Sequence, residues 1–268
     1  MTYWNAVLLG LVQGLAEFLP ISSSGHLAVL QSFLAIGDME NHMLFDVLLH
    51  LGTLAAVVLA FWKDVREAAK EFLRMVHLRK MPRGMKPNRK ERRLLSFLII
   101  ATLPLIPAAF LSDAVESLYQ NTFFIGFAFV MTGFLLFAAD RMGHGNKDER
   151  SANVSDAVIV GLAQAVAIVP GLSRSGTTIS AGMLRGFDRN FAVKFSFLLS
   201  IPAVVGANIL ALVKAISNGV TWTYLPMYLV GVAVAFVSGY FAIYFLRLVV
   251  QRGKFGGFEG RKLEKDDR

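Results

Sequence analysis

Polarity along the chain falls into long apolar runs separated by short polar stretches. Five runs stand out: residues 43–62, interrupted by Asp46 and His50; 94–111; 122–139; 191–213, with Lys194 near its start; and 224–246. Each is close to the ~20 residues that cross bilayer hydrocarbon as a helix. Two further segments, residues 6–29 and 156–184, are apolar, then broken by Pro, Ser and Gly, then apolar again. Irregular backbone at membrane depth is tolerated only where it is buried in protein or lines a wet cavity, so both breaks are expected to face one internal site. The pattern predicts an all-α fold: a polytopic helical membrane protein, one membrane domain over residues 1–268, with two re-entrant helix–loop–helix segments.

Composition agrees and fixes the compartment. Of the 268 residues 55% are hydrophobic and only 17% charged, and the mean hydropathy is +0.54, which is too apolar for a soluble domain. There is no cysteine, so disulfides and thiolate metal sites are excluded. The amino-terminal residues lack a basic stretch ahead of the first apolar run, so no cleavable signal is expected.

Charge sets the orientation. Residues 63–93 hold twelve basic and four acidic side chains and so carry the whole formal charge of +8, while the rest of the chain is neutral. Flanked by spans, this cluster is explained by the positive-inside rule rather than by a nucleic-acid partner, and it places the loop in the cytoplasm. Residues 43–62 then run inward, 94–111 outward and 122–139 inward. Arg185, Arg189 and Lys194 start the next span inside as well, so residues 156–184 begin and end on the cytoplasmic side. Residues 6–29 are their counterpart from outside. Asp156, Arg185 and Lys194 read as interfacial topology markers with long side chains reaching water.

An internal repeat supports the arrangement. A shift of 151 residues superposes Gly10 on Gly161, Gln13 on Gln164, Ser22 on Ser173, Ser24 on Ser175 and Gly25 on Gly176, and a shift of 150 superposes "FDVLLHLGT" from Phe45 on "FSFLLSIPA" from Phe195. Two such halves, residues 1–140 and 155–250, make an inverted-topology repeat whose broken helices meet near the bilayer midplane. Residues 251–268 are a charged tail where the repeat leads one to expect a last helix.

The chemistry is concentrated at the two breaks. "PGLSRSGTT", residues 170–178, sets Arg174 among hydroxyls and glycine. An intramembrane arginine needs an anionic partner, its planar fork suits phosphate oxygens, and Ser173, Ser175 and Gly176 let backbone N–H groups approach such a ligand. In "QGLAEFLPISSSGH", residues 13–26, Gln13 and Glu17 share a helix face and Pro20 ends that helix; Ser22, Ser23, Ser24, Gly25 and His26 follow. Glu17 can hold a divalent metal or act as a base, Ser23 can attack phosphorus, and His26 can shuttle the proton. The plainer alternative has Ser22 and Ser24 capping a helix and Glu17 pairing with Arg174 for structure alone. Asp46 and His50, four apart in a span, either line the mouth of the site as supporting groups or bond to each other.

Together "QGLAEFLPISSSGH", "PGLSRSGTTISAGML" and "FDVLLHLGT" resemble the undecaprenyl-diphosphate phosphatase family, bacterial integral-membrane enzymes linked to bacitracin resistance. The resemblance runs from about residue 8 to 253. It implies hydrolysis of the terminal phosphate of a polyprenyl diphosphate, regenerating the monophosphate carrier for peptidoglycan and other envelope polymers. The family's (E/Q)xxxE falls on Gln13 and Glu17, its hydroxyl and histidine positions on Ser23 and His26, and its PGxSRSGxT on Ser173, Arg174 and Thr178. Also implied are a Mg²⁺ or Ca²⁺ cofactor held by Glu17 with Gln13, the inverted-repeat fold, and a multi-pass location in the plasma (inner) membrane with the reaction centre open to the outer face. The expected partners are the lipid substrate, the bilayer and, in an assembly compatible with this reading, a second copy of the chain.

Two other classes share parts of this pattern. A transporter or flippase for an anionic lipid or solute uses the same architecture but needs no serine beside a carboxylate and a histidine. The separate lipid-phosphatase class marked by KxxxxxxRP, PSGH and SRxxxxxH is mimicked by "SSSGH", but it requires a histidine after the arginine motif, and none follows His144.

Overall fold

The apolar runs and both broken segments are helical. The structure, a computed structural model, describes residues 1–34, 39–76, 89–111, 115, 118, 121–143, 145–217 and 222–251. The first broken segment is α1 (Tyr3–Phe18) and α2 (Ser23–Phe33). It is followed by α3 (Met39–Ala60), α4 (Trp62–Met75), α5 (Arg89–Thr102), α6 (Leu105–Ala109) and α7 (Thr122–Met142). The second broken segment is α8 (Val154–Val166) and α9 (Arg174–Leu184), and the chain continues through α10 (Arg189–Ser217), a 3₁₀ turn at Trp222–Tyr224 and α11 (Leu225–Gln251). Among the described residues there is no β-strand, only an isolated bridge between Lys147 and Phe187.

Among the described residues, four helical stretches are long and apolar enough to cross a bilayer: Arg89–Ala109, Thr122–Met142, Arg189–Leu210 and Leu225–Val250. A fifth is reached if α3 and α4 are taken as one broken span, for they pass the length and hydropathy test together but bend by 91°. The run read from sequence as 43–62 therefore stops at Ala60, and the polar stretch read as a loop from residue 63 begins as helix α4. The reason lies in α4's sequence, where charged residues recur at helical spacing between apolar ones. Part of that stretch, residues 77–88, and the charged tail after residue 251 lie outside the described residues.

Glycine sets how closely the helices approach. A Cβ on Gly10 would lie 2.4 Å from the Gly231 carbonyl oxygen, one on Gly14 1.9 Å from Ser238 Oγ, and one on Gly52 2.6 Å from the Val232 carbonyl oxygen. α1 and α3 therefore both pack backbone-close on α11, using small residues where hydrocarbon solvent offers no hydrophobic drive. The main buried cluster is aromatic, with Phe18 edge-on to Phe197 at 5.4 Å and Phe187 edge-on to Phe195 at 5.8 Å. Phe18 closes α1 just before its break, so this cluster holds the end of α1 in place. Large side chains such as Phe110, Phe123 and Phe134 are exposed on the outside, as a lipid-facing surface requires.

Both breaks have local causes. Pro20 cannot continue α1, and Ser22 takes a left-handed conformation (φ 70°) from which it caps α2, its Oγ accepting from Gly25 N–H at 3.4 Å. In the second unit Pro170 and Gly171 (φ +85°) make the turn, and Ser173 caps α9, its Oγ accepting from Gly176 N–H at 3.1 Å. Glycine is required at Gly171 twice over, because a Cβ there would also lie 2.8 Å from Ala128 Cβ.

Candidate active site

The two breaks meet. Glu17, in the last turn of α1, receives the Arg174 guanidinium from the first turn of α9 at Oε1, and both side chains are largely buried. At Oε2 it accepts from Ser23 Oγ at 2.7 Å and from Gln13 Nε2 at 3.0 Å, and His50 Nε2 of α3 stands 3.7 Å away. Burying this carboxylate would cost several kcal/mol per ion without a partner, and the cation plus the hydrogen bonds offset that cost. Ser23 is the first residue of α2, so the turn forced by Pro20 delivers its hydroxyl back onto the helix that precedes it.

The two histidines are held alike. His26 Nδ1 meets the Ser22 carbonyl at 2.8 Å and His50 Nδ1 the Asp46 carbonyl at 2.7 Å. A carbonyl only accepts, so in each ring Nδ1 carries the proton and Nε2 is the atom left for other chemistry. The His26 ring lies against Phe129 of α7, centroids 4.9 Å apart. Asp46 does not pair with the His50 ring; its Oδ1 accepts from Gln31 Nε2 at 2.8 Å.

The hydroxyls of Ser173, Ser175 and Thr178 are engaged within the protein. Ser173 N–H donates to Thr132 Oγ1 at 3.1 Å, and the Ser173 and Ser175 hydroxyls are 3.2 Å apart. Gly176 packs against Thr132 and Pro20, a Cβ there meeting them at 3.0 and 3.2 Å. Thr178 Oγ1 donates to the Arg174 carbonyl at 2.8 Å and lies 2.6 Å from Ser196 Oγ of α10, so it faces a neighbouring helix. Of the residues singled out from sequence, Gln13, Glu17, Ser23, Arg174 and His50 form one contact group. His26, Ser173, Ser175, Gly176 and Thr178 surround it, and Asp46 supports it through His50. Sequence reasoning missed Gln31, Thr132 and Ser196; the signal for Thr132 is a hydroxyl in the middle of an otherwise hydrocarbon run.

Donor chemistry decides whether a divalent cation has a ready seat. Both Glu17 oxygens are already taken, one by a guanidinium. Gln13 turns its amide nitrogen toward Glu17, and its buried Oε1, which is without a partner, points elsewhere. Among the described residues no three His, Cys, Asp or Glu side chains are grouped to hold a metal ion. The set does not fit a preformed Mg²⁺ or Ca²⁺ site, for which several converging oxygens are needed.

What the set offers is a hydroxyl aimed at a carboxylate, an imidazole Nε2 within reach of the same carboxylate, and a buried arginine. That suits displacement at an anionic phosphorus centre. The sequence model of the bacitracin resistance protein BacA family matches residues 6–260. An undecaprenyl-diphosphatase of Alkaliphilus metalliredigens is 44% identical over 245 residues, covering 91% of this chain and 88% of the relative. One from Syntrophotalea carbinolica is 42% identical over 260 residues (96% and 94%), and one from Halothermothrix orenii is 38% identical over 265 residues (96% and 93%). With a family match over nearly its whole length and relatives that align over most of theirs, the chain belongs to the bacitracin resistance protein BacA family.

Proposed function

We propose that this protein hydrolyses undecaprenyl diphosphate to undecaprenyl phosphate and inorganic phosphate, recycling the lipid carrier of cell-wall synthesis. The observation that carries the reading is the joining of Glu17, Ser23 and Arg174 from two helix breaks into one partly buried contact group. The relatives' shared name, undecaprenyl-diphosphatase, supports it.

In the proposed reaction the diphosphate enters between the breaks and draws Arg174 from Glu17 to its own oxygens. Glu17, released from the guanidinium, takes the proton of Ser23, whose Oγ attacks the terminal phosphorus. The bond from that phosphorus to the bridging oxygen breaks, and undecaprenyl phosphate leaves with the bonding pair. Water then attacks the phosphoserine, with His26 Nε2 or His50 Nε2 accepting its proton; the bond from phosphorus to Ser23 Oγ breaks, inorganic phosphate leaves, and Glu17 returns the proton to Ser23. Backbone N–H groups at the start of α9 add to the charge stabilisation, which is the larger part of phosphoryl-transfer catalysis.

Several further features belong to this reading. The two broken segments enter from opposite faces as an inverted repeat, supported by the sequence register between the halves. The site opens to the outer face of the plasma membrane, supported by the basic cytoplasmic stretch. A Mg²⁺ or Ca²⁺ cofactor would have to arrive with the diphosphate, whose oxygens would hold it, because both Glu17 oxygens are engaged in the substrate-free protein. Association as a homodimer is compatible with each of these.

The test is phosphate release from undecaprenyl diphosphate by the purified protein. Release of phosphate lost in Ser23→Ala supports the reading. Movement of the intact diphosphate across proteoliposomes without phosphate release identifies a transporter instead.

A further inference from the structure

Helix α4 has three sides with different surroundings. Its start is pinned to the protein: Phe61 at the elbow is buried beneath the Arg247 guanidinium, 3.9 Å from the ring centroid, and Asp64 pairs with Lys194 of α10 at 2.6 Å. Glu71, two turns further on the same side, is 3% exposed and paired with Arg74. A second side is apolar and uncovered: Trp62 is 55% exposed, Phe72 48%, Leu73 38% and Val76 44%, at the i, i+10, i+11 and i+14 positions of one helical stripe. The third side is basic, with Lys63 exposed and Arg66, which pairs with the neighbouring Glu67 at 3.5 Å, still 59% exposed next to the Trp62–Leu73 edge.

The bend of 91° between α3 and α4 turns this helix across the direction of the span that precedes it. A helix lying in the plane of a membrane needs this layout, an apolar stripe sunk at the acyl boundary with cations at headgroup level. Tryptophan at the junction fits the aromatic belt, and Arg66 beside it can bury its stem while its charge reaches phosphate. Residues 63–93 carry a net +8, complementary to an anionic leaflet. We propose that α4 is an interfacial docking helix for anionic phospholipid, seated on the cytoplasmic leaflet through its apolar stripe and binding lipid phosphate through Lys63 and Arg66. The leaflet assignment rests on the positive-inside reading; the diphosphatase reading is not needed.

The native chain has no cysteine, so single labels can be placed in the full-length protein reconstituted in phosphatidylcholine vesicles containing phosphatidylglycerol. A nitroxide at Phe72→Cys should be relaxed mainly by oxygen and one at Lys63→Cys mainly by a water-soluble nickel complex. Equal exposure of both to the nickel complex overturns the seating. For lipid choice, a fluorophore at Leu73→Cys should be quenched more by brominated phosphatidylglycerol than by brominated phosphatidylcholine at equal mole fraction. Each basic residue near such a surface is worth about a five-fold preference. The preference should disappear in Lys63→Glu/Arg66→Glu while the Phe72 label keeps its oxygen accessibility, which shows that the variant remains folded and seated. Equal quenching by the two lipids in the otherwise native chain overturns the anionic site, as does a preference that survives both charge reversals.

Discussion

Arg174 and Glu17, 157 positions apart in the chain, form the ion pair that joins the two helix breaks. The pairing matches the plainer reading of Glu17 as a structural partner, yet the same carboxylate also receives Ser23. Structure and proposed chemistry are therefore linked: what holds the breaks together at rest is what the phosphate displaces in the proposed reaction. Arg174→Ala is expected to lower turnover by about 10²-fold or more, as loss of a charge-stabilising donor does. It should also destabilise the fold by about 3–5 kcal/mol, since Glu17 is left buried and uncompensated. Arg174→Lys should recover part of the stability and little of the turnover, because an ammonium does not reproduce the planar fork. Thermal unfolding in detergent beside steady-state phosphate release separates the two effects, and near-native turnover in Arg174→Ala would remove the residue from the reaction.

Ser23→Ala tests the attack itself. The hydroxyl donates to Glu17 Oε2 at 2.7 Å, so its loss deletes one hydrogen bond to a charged group, about 1.5–3 kcal/mol of stability, and the proposed nucleophile. Turnover should vanish while binding of a diphosphate analogue persists. Rapid quenching of the native protein with terminally labelled substrate should trap phosphate on the chain. Turnover retained in the variant would assign the attack to water.

Much of this site could be read from the residues. Glu17 and Arg174 stood out because a charge in hydrocarbon demands a partner, and Pro20 and Pro170 marked where the helices had to stop. The apolar runs gave the helices to within a few residues. What stayed illegible depended on distances that no local pattern encodes. His50 is four residues from Asp46, yet its imidazole turns toward Glu17 and bonds only the Asp46 carbonyl. Thr178 belongs to the arginine motif, yet its hydroxyl meets Ser196 across a helix interface. α4 was hidden because a helix half charged and half apolar resembles a polar loop when only long apolar runs are sought.

The close contact of α1 with α11 should tolerate no added volume. A Cβ on Gly14 would fall 1.9 Å from Ser238 Oγ and 2.6 Å from the Ala235 carbonyl oxygen, and backbone cannot yield as a flexible side chain can. Gly14→Ala is expected to cost about 1–3 kcal/mol through overpacking. It should also impair turnover, because Glu17 lies one turn further along the same helix. Gly126→Ala, where nothing lies within 4 Å of the added atom, should leave the thermal midpoint unchanged or slightly raised. Equal midpoints for both variants would contradict the packing.

The donor set makes a prediction about metal removal. A resident ion stabilises the native state by mass action, so a chelator would lower the unfolding temperature if one were held. With Glu17 committed to Arg174, Ser23 and Gln13, the substrate-free protein should show no such shift and no stoichiometric Mn²⁺ uptake in equilibrium dialysis. Uptake should appear when a methylene diphosphonate is added, because that ligand supplies the converging oxygens. Tight uptake without it, abolished in Glu17→Ala, would establish a preformed cation site.

Orientation can be tested on described surface positions at both ends of one span. Thr122 starts α7 and is exposed; Arg150, in the turn beyond its other end, is exposed too. The positive-inside assignment of residues 63–93 sends α5 outward and brings α7 back, placing Thr122 outside and Arg150 in the cytoplasm. Because the native chain has no cysteine, Thr122→Cys should react with a membrane-impermeant thiol reagent in intact cells. Arg150→Cys should react only after the membrane is opened. The second residue also reports on re-entry: if α8 and α9 turn back without crossing, a cysteine at half-buried Arg185, just past α9, must share Arg150's protection. Labelling at Arg185→Cys in intact cells, with Arg150→Cys protected, would mean that the second broken segment crosses the bilayer and that the two breaks do not enter from opposite faces.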